Sequence, residues 1–598
     1  MTRARLLAAA ALVLLVVLAP LLLRTLLATV AGGRVRAAAA GRGLDVGWRH
    51  LRVDLPASVG FDRFVARDAA AGDTLFAAES LRVVLDPWAL VRGRARVSQL
   101  VLGRAVIAVR RRGVADTLEE EPPARATDDP ARARALRRAA ESVVRLLEAP
   151  ARDLPRLALN DVVVRTGEDA PLPGVRIAWL DLAPRAGGVR LAAAGALLDE
   201  QEIPFAATLD YAADDRLSGG ARLDMTDPAS GRPWPLVITV DGALAQDRRA
   251  GRVALHDTTR VTIGRIGFRV GAALTRAGPA VRLALGAEGL DEAQVKRSLP
   301  PSLLGPLAHV GVRGSWDYRL DFELDLSAPD SVQFRSEVTP HDLALDPTRT
   351  RLRLFGLDQP FIAEIHLPRD RVVTRELSDA NPYYRPLDAL SPALVGAVVT
   401  NEDGGFFRHR GFNPEAVRQS IAENLRAGAY RRGAGTITMQ LARNLYLGHR
   451  RTLARKFQEV VLAWILEHLT GVSKERLLEI YLNIIEWGPE VHGAGEAARW
   501  YFGQAPDTLG VSEGLFLATV VPSPARWARR LDAAGALRPA TRAQMHFIGR
   551  AMVAKGWLDP AALPPSDSLV IELRGPARAV LFPVDSINAL YLPPMTLR

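Results

Sequence analysis

The chain has 598 residues, of which 48% are hydrophobic and 24% are charged, and its formal net charge is +11. This length exceeds what one hydrophobic core usually supports, so the sequence predicts two or three domains. Because cysteine is absent, disulfides, thiolate metal sites and cysteine nucleophiles are excluded. The excess of basic residues fits three kinds of partner: nucleic acid, an anionic membrane surface or a phosphorylated substrate.

The N-terminal segment contains an apolar run at residues 6–23, flanked by Arg3, Arg5 and Arg24. At about 1.5 Å per residue, this run extends about 27 Å, which is enough to cross a bilayer core. A signal peptide has a shorter apolar core of about 7–15 residues, although residues 28–33 could supply a cleavage site. We expect residues 1–33 to form a cytoplasmic stub and an uncleaved transmembrane helix. The basic residues before the run place the remainder of the chain outside the cytoplasm, which argues against nucleic acid.

Residues 34–355 are predicted to form a β-rich periplasmic region. Apolar and polar residues alternate in short runs such as 51–55 and 97–102, punctuated by Gly and Pro, as is typical of strands with one solvent-facing side. A charged segment at about 113–152 interrupts this pattern. Its apolar residues have helical spacing between 130 and 148, which predicts a helical insertion.

Part of this region, residues 81–93 followed by 97–102, resembles AsmA-like proteins, which are membrane-anchored, β-rich and in some cases tied to lipid traffic. The resemblance extends over 34–112 and more loosely over 157–350. The alternative is an unrelated β-sandwich that spaces the next domain from the membrane. We hypothesise that the region folds back along the membrane or supplies an apolar groove for a lipid tail.

Residues 370–560 change to a helical pattern, with apolar residues at a period of 3.6. A C-terminal tail at 561–598 follows, and its pattern from residue 566 suggests short strands. Within the helical region, residues 402–503 contain several short blocks whose residue types suit catalysis.

The first block, residues 402–411, places Glu402 and Asp403 after an apolar helix. Partial desolvation at such an edge raises the pKa of a carboxyl group toward the range of a general base. The second block, residues 432–444, runs a Gly-rich loop into a helix with Thr436 or Thr438 near its start, which is typical of an anion site. Taken singly, a solvated turn and an ordinary capped helix explain these blocks equally well.

The third block, residues 450–459, places Arg451, Arg455 and Glu459 on one helix face. Basic groups that converge with one carboxylate suit a pyrophosphate, although a surface ladder of ion pairs is the commoner arrangement. Two further blocks, at 473–488 and 493–503, are interpreted mainly as packing, because small residues and aromatic side chains dominate them.

Together, these blocks resemble glycosyltransferase family 51, the peptidoglycan glycosyltransferases, over residues 386–527, and are closest to the monofunctional biosynthetic transglycosylases. The resemblance implies a mainly α, lysozyme-like domain. It implies that Glu402 is the general base for the 4-hydroxyl of the acceptor sugar, and that Glu459 organises the donor pyrophosphate. It also implies substrate-binding roles for Asp403, His409, Thr436, Thr438, Gln440, Arg443, Asn444, Arg451, Arg455 and Lys456.

One departure from the family lies at Gly435, which stands where the family usually has Ser, so a hydroxyl is lost beside the predicted anion site. The resemblance implies Mg²⁺ or a similar divalent cation at the pyrophosphate. No metal-ligand spacing in the sequence indicates that ion independently.

The implied reaction polymerises lipid II into β-1,4 glycan strands, with inversion and release of polyprenyl pyrophosphate. The implied partners are lipid II, the growing glycan strand and the membrane, with transpeptidases or division and elongation proteins as further candidates. The implied location is the bacterial inner membrane, with a single span and a periplasmic catalytic domain.

Two other functions compete with this hypothesis. The first is a lysozyme-like glycan hydrolase. The cluster of Arg451, Arg455 and Lys456 argues against it, since a neutral glycan needs no cationic side chains to bind a pyrophosphate. The second is an envelope lipid-transfer or scaffold protein with an inactive catalytic domain, against which the presence of both Glu402 and Glu459 argues.

Overall fold

The computed structural model of the protein describes residues 28–582, apart from 55–56, 70–71, 95, 110–153, 167–173, 186–187, 199–201, 213, 228–229, 248, 276–279, 326–327, 368–370, 428–432 and 449–451. The described residues divide into two compact units. The N-terminal unit contains the residues up to 302, together with Trp316–Thr339. The C-terminal unit contains Leu303–Ser315 and the residues from 340 onward.

The N-terminal region is dominated by a sheet to which seventeen strands of the described chain belong. These strands are β1 (Leu44–Gly47), β2 (His50–Asp54), β3 (Ser58–Asp68), β4 (Thr74–Leu85), β5 (Val97–Val109), β6 (Arg156–Thr166), β7 (Gly174–Arg185), β8 (Gly188–Leu198), β9 (Glu202–Ala212), β10 (Arg216–Thr226), β11 (Pro233–Asp247), β12 (Arg252–Leu255), β13 (Arg260–Ile263), β14 (Ile266–Thr275), β15 (Ala280–Leu290), β16 (Val312–Asp325) and β17 (Gln333–Leu345). The upstream helices are α1 (28–40), α2 (Pro87–Val91), α3 (Glu292–Ser298) and α4 (Pro301–Leu304).

The strands alternate between a solvent-facing side and a half-buried side, as the sequence pattern predicted. In β9, Ile203, Phe205 and Leu209 are half-buried, whereas Glu202 and Ala206 are exposed. The predicted β-rich region is therefore confirmed. Successive strands from β6 to β11 pair antiparallel, but β5 and β6 run parallel. A parallel pair requires a long crossover connection, and residues 110–155 connect these two strands.

An aromatic cluster forms the core at the start of the N-terminal unit. Phe61 and Phe64 are buried, and Trp48 and Phe76 pack against them beside helix α1. The ring centroids of Trp48 and Phe61 lie 5.2 Å apart in an edge-to-face arrangement, which is favourable for aromatic pairs. This cluster fixes α1 to the first strands of the sheet.

Two predictions fall on residues that the structure does not describe. The predicted transmembrane run, 6–23, lies within residues 1–27, and the predicted helical insertion, 113–152, lies within 110–153. Among the helices of the described residues, none combines the length and the apolar character needed to span a membrane.

The C-terminal unit is mainly helical, as predicted. Its helices are α5 (Pro392–Asp403), α6 (Pro414–Ala427), α7 (Ile437–Tyr446), α8 (Leu453–His468), α9 (Lys474–Ile484), α10 (Ala494–Phe502), α11 (Val511–Val520), α12 (Pro539–Ala554) and α13 (Pro576–Leu581). The unit also contains two short hairpins. One, formed by β18 (Phe361–Leu367) and β19 (Arg371–Leu377), precedes the helices, and the other, formed by β20 (Glu486–Gly488) and β21 (Val491–His492), lies between α9 and α10.

Helices α5, α9 and α11 form the centre of this unit. Leu394 and Val398 on α5, Tyr481 on α9 and Phe516 on α11 are fully buried. At Gly514, a Cβ would lie 2.8 Å from the backbone nitrogen of Leu394, so this glycine permits the close approach of α11 to α5. The apolar face of α5 is thereby enclosed, and its last turn emerges at the candidate site.

The C-terminal tail differs from the prediction of short strands. Residues 569–573 are irregular, and Pro576, at the start of α13, begins a helix. The backbone nitrogen of Arg574 donates to the Tyr501 carbonyl at 3.1 Å, while Leu569 and Ala577 are fully buried. The strand prediction is wrong for these residues because packing against α10 overrides the local apolar pattern. Residues 583–598 lie outside the described chain.

Candidate active site

Glu402 lies in the last turn of α5 and is held by two side-chain amides. Asn401 Nδ2 donates to Glu402 Oε1 at 2.9 Å, and Gln440 Nε2 donates to Oε2 at 2.9 Å. Burial raises the pKa of the Glu402 carboxyl above its ordinary value, although both amides and Arg443 act in the opposite direction. A desolvated carboxylate with a raised pKa is suited to accept a proton from a substrate hydroxyl.

Behind Glu402, a relay of hydrogen bonds fixes the orientation of Gln440. The Tyr481 hydroxyl donates to Gln440 Oε1 at 3.2 Å, which leaves the Gln440 NH2 group to face Glu402. Tyr481 is fully buried, and burial raises its pKa well above the ordinary value. The phenol therefore stays protonated and acts as a donor throughout the neutral range.

Asp403 connects three parts of the fold. His409 Nε2 lies 3.0 Å from both Asp403 carboxylate oxygens, and the backbone nitrogen of Ile437 donates to Asp403 Oδ2 at 3.2 Å. Asp403 and the His409 side chain are buried. Asp403 thus links the end of α5 to the loop that follows it and to the first turn of α7.

Thr436 and Thr438 are both buried and hydrogen-bonded within the protein. Thr436 caps α7 by accepting from the Met439 backbone nitrogen at 3.2 Å, and its hydroxyl donates to the Gly411 carbonyl at 2.7 Å. Thr438 donates to the buried carboxylate of Glu467, which also pairs with Lys474 at 2.8 Å. In this structure the two hydroxyls hold the loop and helix in place, and a direct contact of either one with substrate stays a prediction.

A second cluster lies on the first turns of α8, which Thr452 caps through the Arg455 backbone nitrogen at 3.1 Å. The Glu459 side chain is 5% exposed and pairs with Arg455 through one oxygen. Lys456 Nζ lies 3.1 Å from the other oxygen, and its side chain is 48% exposed. Glu459 therefore orients two cations, one of which faces solvent.

Arg443 and the Gly-rich loop bring the two clusters together. Arg443 on α7 lowers the pKa values of both Glu402 and Lys456, so its charge acts on both clusters. At Gly435, a Cβ would lie 3.9 Å from Lys456 Nζ. The glycine that replaces the family serine thus lies next to Lys456, within reach of a serine hydroxyl. Asn444, one residue after Arg443, is buried.

The structure brings together most of the residues that the sequence predicted for this site. Arg451 lies outside the described residues, as does Arg432 of the Gly-rich block. Asn401 and Tyr481 were not predicted. The only feature of the sequence that pointed to Asn401 is its position immediately before Glu402. Tyr481 lies in the block that was interpreted as packing.

The donor groups at this site do not form a metal centre on their own. Within the part of the chain that the structure describes, no group of three or more His, Asp or Glu side chains is arranged to hold a metal ion. Both Glu459 oxygens already accept hydrogen bonds from Arg455 and Lys456.

Comparison with known proteins finds relatives for a segment of the C-terminal unit. Residues 370–547 match the family model described as "Transglycosylase". The chain is also similar to proteins named "Biosynthetic peptidoglycan transglycosylase". That of Methylobacillus flagellatus is 39% identical over 151 residues, which cover 25% of this chain and 65% of the relative. Those of Alcanivorax borkumensis and Nitrosospira multiformis are 43% and 42% identical over 141 and 139 residues, which cover 24% and 23% of this chain.

The chain spans 65%, 57% and 60% of the length of these relatives. The family resemblance predicted from the sequence blocks is confirmed for this segment. The match begins after the β-rich region, so it concerns the helical unit and its site.

Proposed function

We propose that the protein is a peptidoglycan glycosyltransferase that polymerises lipid II into β-1,4 glycan strands and releases polyprenyl pyrophosphate. The observation that carries this proposal is the pairing of two different clusters within the matched segment. One is a desolvated carboxylate, Glu402, and the other is the cationic group around Glu459, with Arg443 acting electrostatically on both. A displacement that forms a glycosidic bond with a pyrophosphate leaving group needs both kinds of cluster.

On the acceptor side, Glu402 acts as the general base. It takes the proton of the acceptor 4-hydroxyl while that oxygen attacks the anomeric carbon of the donor. The bond from the anomeric carbon to the pyrophosphate oxygen breaks, and its electron pair leaves with the pyrophosphate. Because attack and departure occur on opposite faces, the configuration inverts. Asn401 and Gln440 restrain Glu402 during this step.

On the donor side, Lys456, Arg455 and Arg443 neutralise the charge that develops on the leaving pyrophosphate. Charge-assisted hydrogen bonds from such groups to phosphate are strong and directional. Glu459 orients Arg455 and Lys456. A divalent ion such as Mg²⁺, which we propose enters with the pyrophosphate, would neutralise further charge on its oxygens.

The wider setting is also part of the proposal. We infer an envelope enzyme anchored by residues 6–23, with a lysozyme-like catalytic domain in the periplasm and an AsmA-like β-rich region between them. The apolar run, the basic residues before it and the half-buried sides of strands such as β9 support this arrangement. Transpeptidases and division or elongation proteins are the partners we propose.

The direct test is incubation of the purified full-length protein with lipid II and Mg²⁺, followed by separation of the glycan products. We expect long strands that a muramidase digests completely. A parallel incubation with purified sacculi addresses the hydrolase hypothesis. Soluble muropeptides from sacculi, without polymer from lipid II, would contradict the proposal, and no product from either would favour an inactive scaffold.

Lys456 is expected to set the alkaline limit of activity. Partial desolvation, together with the charges of Arg455 and Arg443, lowers the pKa of Lys456 to about 8. The charged ammonium therefore predominates at neutral pH and is lost as the pH rises through about 8. We expect the polymerisation rate to fall over that range, because the neutral amine no longer offsets the pyrophosphate charge. The Lys456→Arg variant should retain more of its neutral-pH rate at about pH 9, since the guanidinium stays protonated. If the polymerisation rates of the two proteins fell identically as the pH rose, Lys456 would not have this role.

Tyr481 is expected to act on the rate through Gln440. The Tyr481→Phe variant removes the hydroxyl that fixes the Gln440 amide, so we expect kcat to fall about tenfold with KM changed less than about twofold. Steady-state kinetics on lipid II would measure both constants. Tyr501→Phe is the matched control, because Tyr501 is also fully buried and its hydroxyl donates to the Trp487 carbonyl at 2.7 Å. If both variants lost the same fraction of kcat, the relay to Glu402 would not be the cause.

A further inference from the structure

Two stretches of chain lie upstream of the family match but within the same compact unit as the candidate site. They are Leu303–Ser315 and residues 340–359, which we call the collar. The family model begins at residue 370, so the resemblance assigns the collar no role. The collar nevertheless forms defined hydrogen bonds with the helices of the site.

The first contact is made with Gln458 on α8. Gln458 Nε2 donates to the Leu303 carbonyl at 2.9 Å, and Gln458 is 7% exposed. Gly305 has φ of +51°, and a Cβ there would lie 2.6 Å from Gln458 Nε2. The left-handed backbone conformation favours glycine, and a Cβ at this position would displace the Gln458 amide from its place. Gln458 immediately precedes Glu459, so the collar contacts α8 at the turn that carries the cationic cluster.

The two stretches of the collar are bonded to each other. The Asp346 backbone nitrogen donates to the Gly311 carbonyl at 2.9 Å, and the Arg351 backbone nitrogen donates to the His309 carbonyl at 2.8 Å. The Gly311 backbone nitrogen donates to Thr350 Oγ1 at 3.0 Å. These bonds make the first stretch part of a connected layer and not a loose loop.

The second stretch contacts the two other helices of the site. The Tyr446 hydroxyl, at the end of α7, donates to the Arg353 carbonyl at 2.7 Å. Arg476, near the start of α9, donates through Nε to the Leu357 carbonyl at 2.8 Å and through Nη2 to the Gln359 carbonyl at 3.0 Å. The collar thus binds α7, α8 and α9, the helices that carry Gln440, Glu459 and Tyr481.

We propose that the collar is a positioning element of the active site, in which Gln458, held by the backbone at 303–305, sets the location of Lys456 and Glu459. This inference rests on the proposed function for its kinetic consequence. It assigns the chain upstream of the matched segment a role in the donor side of the reaction. Gln458 is a positioning residue, because it acts through α8.

The test compares full-length Gln458→Ala and Gln458→Met with the wild type, and Gln419→Ala is the matched control. Gln419 is an exposed glutamine on α6 whose amide donates to Glu415 on the same helix, at 3.1 Å. Gln458→Met retains the side-chain volume without the hydrogen bond, and so covers the case in which the alanine variant does not fold. Three quantities are measured: amide hydrogen exchange in α8, kcat and KM for lipid II, and inhibition by inorganic pyrophosphate.

We expect amide exchange in α8 to accelerate and kcat/KM to fall about tenfold in the Gln458 variants, mainly through KM. Inhibition by pyrophosphate should weaken by a similar factor, while Gln419→Ala should match the wild type. A lowered melting temperature with unchanged kcat, KM and pyrophosphate inhibition would show that the contact serves only the fold, and would overturn the proposal.

Failure of the proposed function is distinguishable from failure of this inference. If the wild type forms no polymer, direct titration with inorganic pyrophosphate replaces the kinetics. Weaker pyrophosphate binding together with faster α8 exchange in Gln458→Met would then support the positioning role without the polymerase function. Unchanged binding and exchange would overturn it.

Discussion

Replacement of Glu402 by Gln is expected to reduce the polymerisation of lipid II by about 10³-fold, within the range that general base catalysis usually contributes. The amide has nearly the shape of the carboxylate but cannot accept the acceptor proton. We expect the fold to be retained with little net change in stability, because the amide removes a buried charge but keeps only one acceptor oxygen for the two amides of Asn401 and Gln440. Burial raises the pKa of Glu402, which means that the folded protein disfavours the charged carboxylate, and the neutral amide removes that cost. Product gels and thermal unfolding measure the two effects.

Glu415→Gln provides the matched control for this experiment. Glu415 lies in the first turn of α6, is exposed and pairs with Arg418, so its loss should leave polymerisation unchanged. An exposed pair of this kind contributes about 0–1 kcal/mol. Equal polymer from wild type and Glu402→Gln would exclude Glu402 as the base. Loss of polymer accompanied by unfolding of the variant would contradict the expected stability.

The sequence predicted the residue types of the site more completely than their roles. The order of the blocks led to Glu402, Gln440, Lys456 and Glu459, which the structure places in the two clusters around Arg443. The buried positions of Thr436 and Thr438 could not be predicted, because a hydroxyl at a helix start can face either a ligand or a backbone carbonyl. The hydroxyl of Tyr481 was missed for a related reason, since its ring fills the core.

The collar lay beyond sequence reasoning because its contacts end on backbone carbonyls. Leu303, Arg353 and Leu357 contribute only main-chain oxygens, which every residue type supplies. Glycines such as Gly305 and Gly314 adopt positive φ values, but a glycine in a sequence with 49 of them indicates no partner. In the N-terminal region, the alternation of apolar and polar residues predicted the strands. It could not predict that β5 pairs in parallel with β6, because the pairing of strands far apart in sequence is not encoded in the periodicity of either strand.

Glu459→Gln is expected to reduce both activity and stability, in contrast to Glu402→Gln. The Glu459 side chain is 5% exposed, and its two oxygens hold Arg455, which is 17% exposed, and Lys456. Gln keeps one acceptor oxygen, so one of the two cations loses its partner. Removal of one member of a buried pair costs about 3–5 kcal/mol, and the solvent exposure of Lys456 reduces this, so we expect a loss of about 2–3 kcal/mol.

The activity of Glu459→Gln should fall by about 10²-fold, because displaced cations stabilise the leaving pyrophosphate less well. Thermal unfolding and steady-state kinetics measure the two losses. Glu292→Gln is the matched control, since Glu292 forms an i,i+4 pair with Lys296 at 2.8 Å in the N-terminal unit. The different stability changes of the two active-site variants separate their roles: burial of the Glu402 carboxylate carries a cost that the neutral amide removes, whereas Glu459 stabilises the cations it orients. A Glu459→Gln protein as stable as the wild type would refute that distinction.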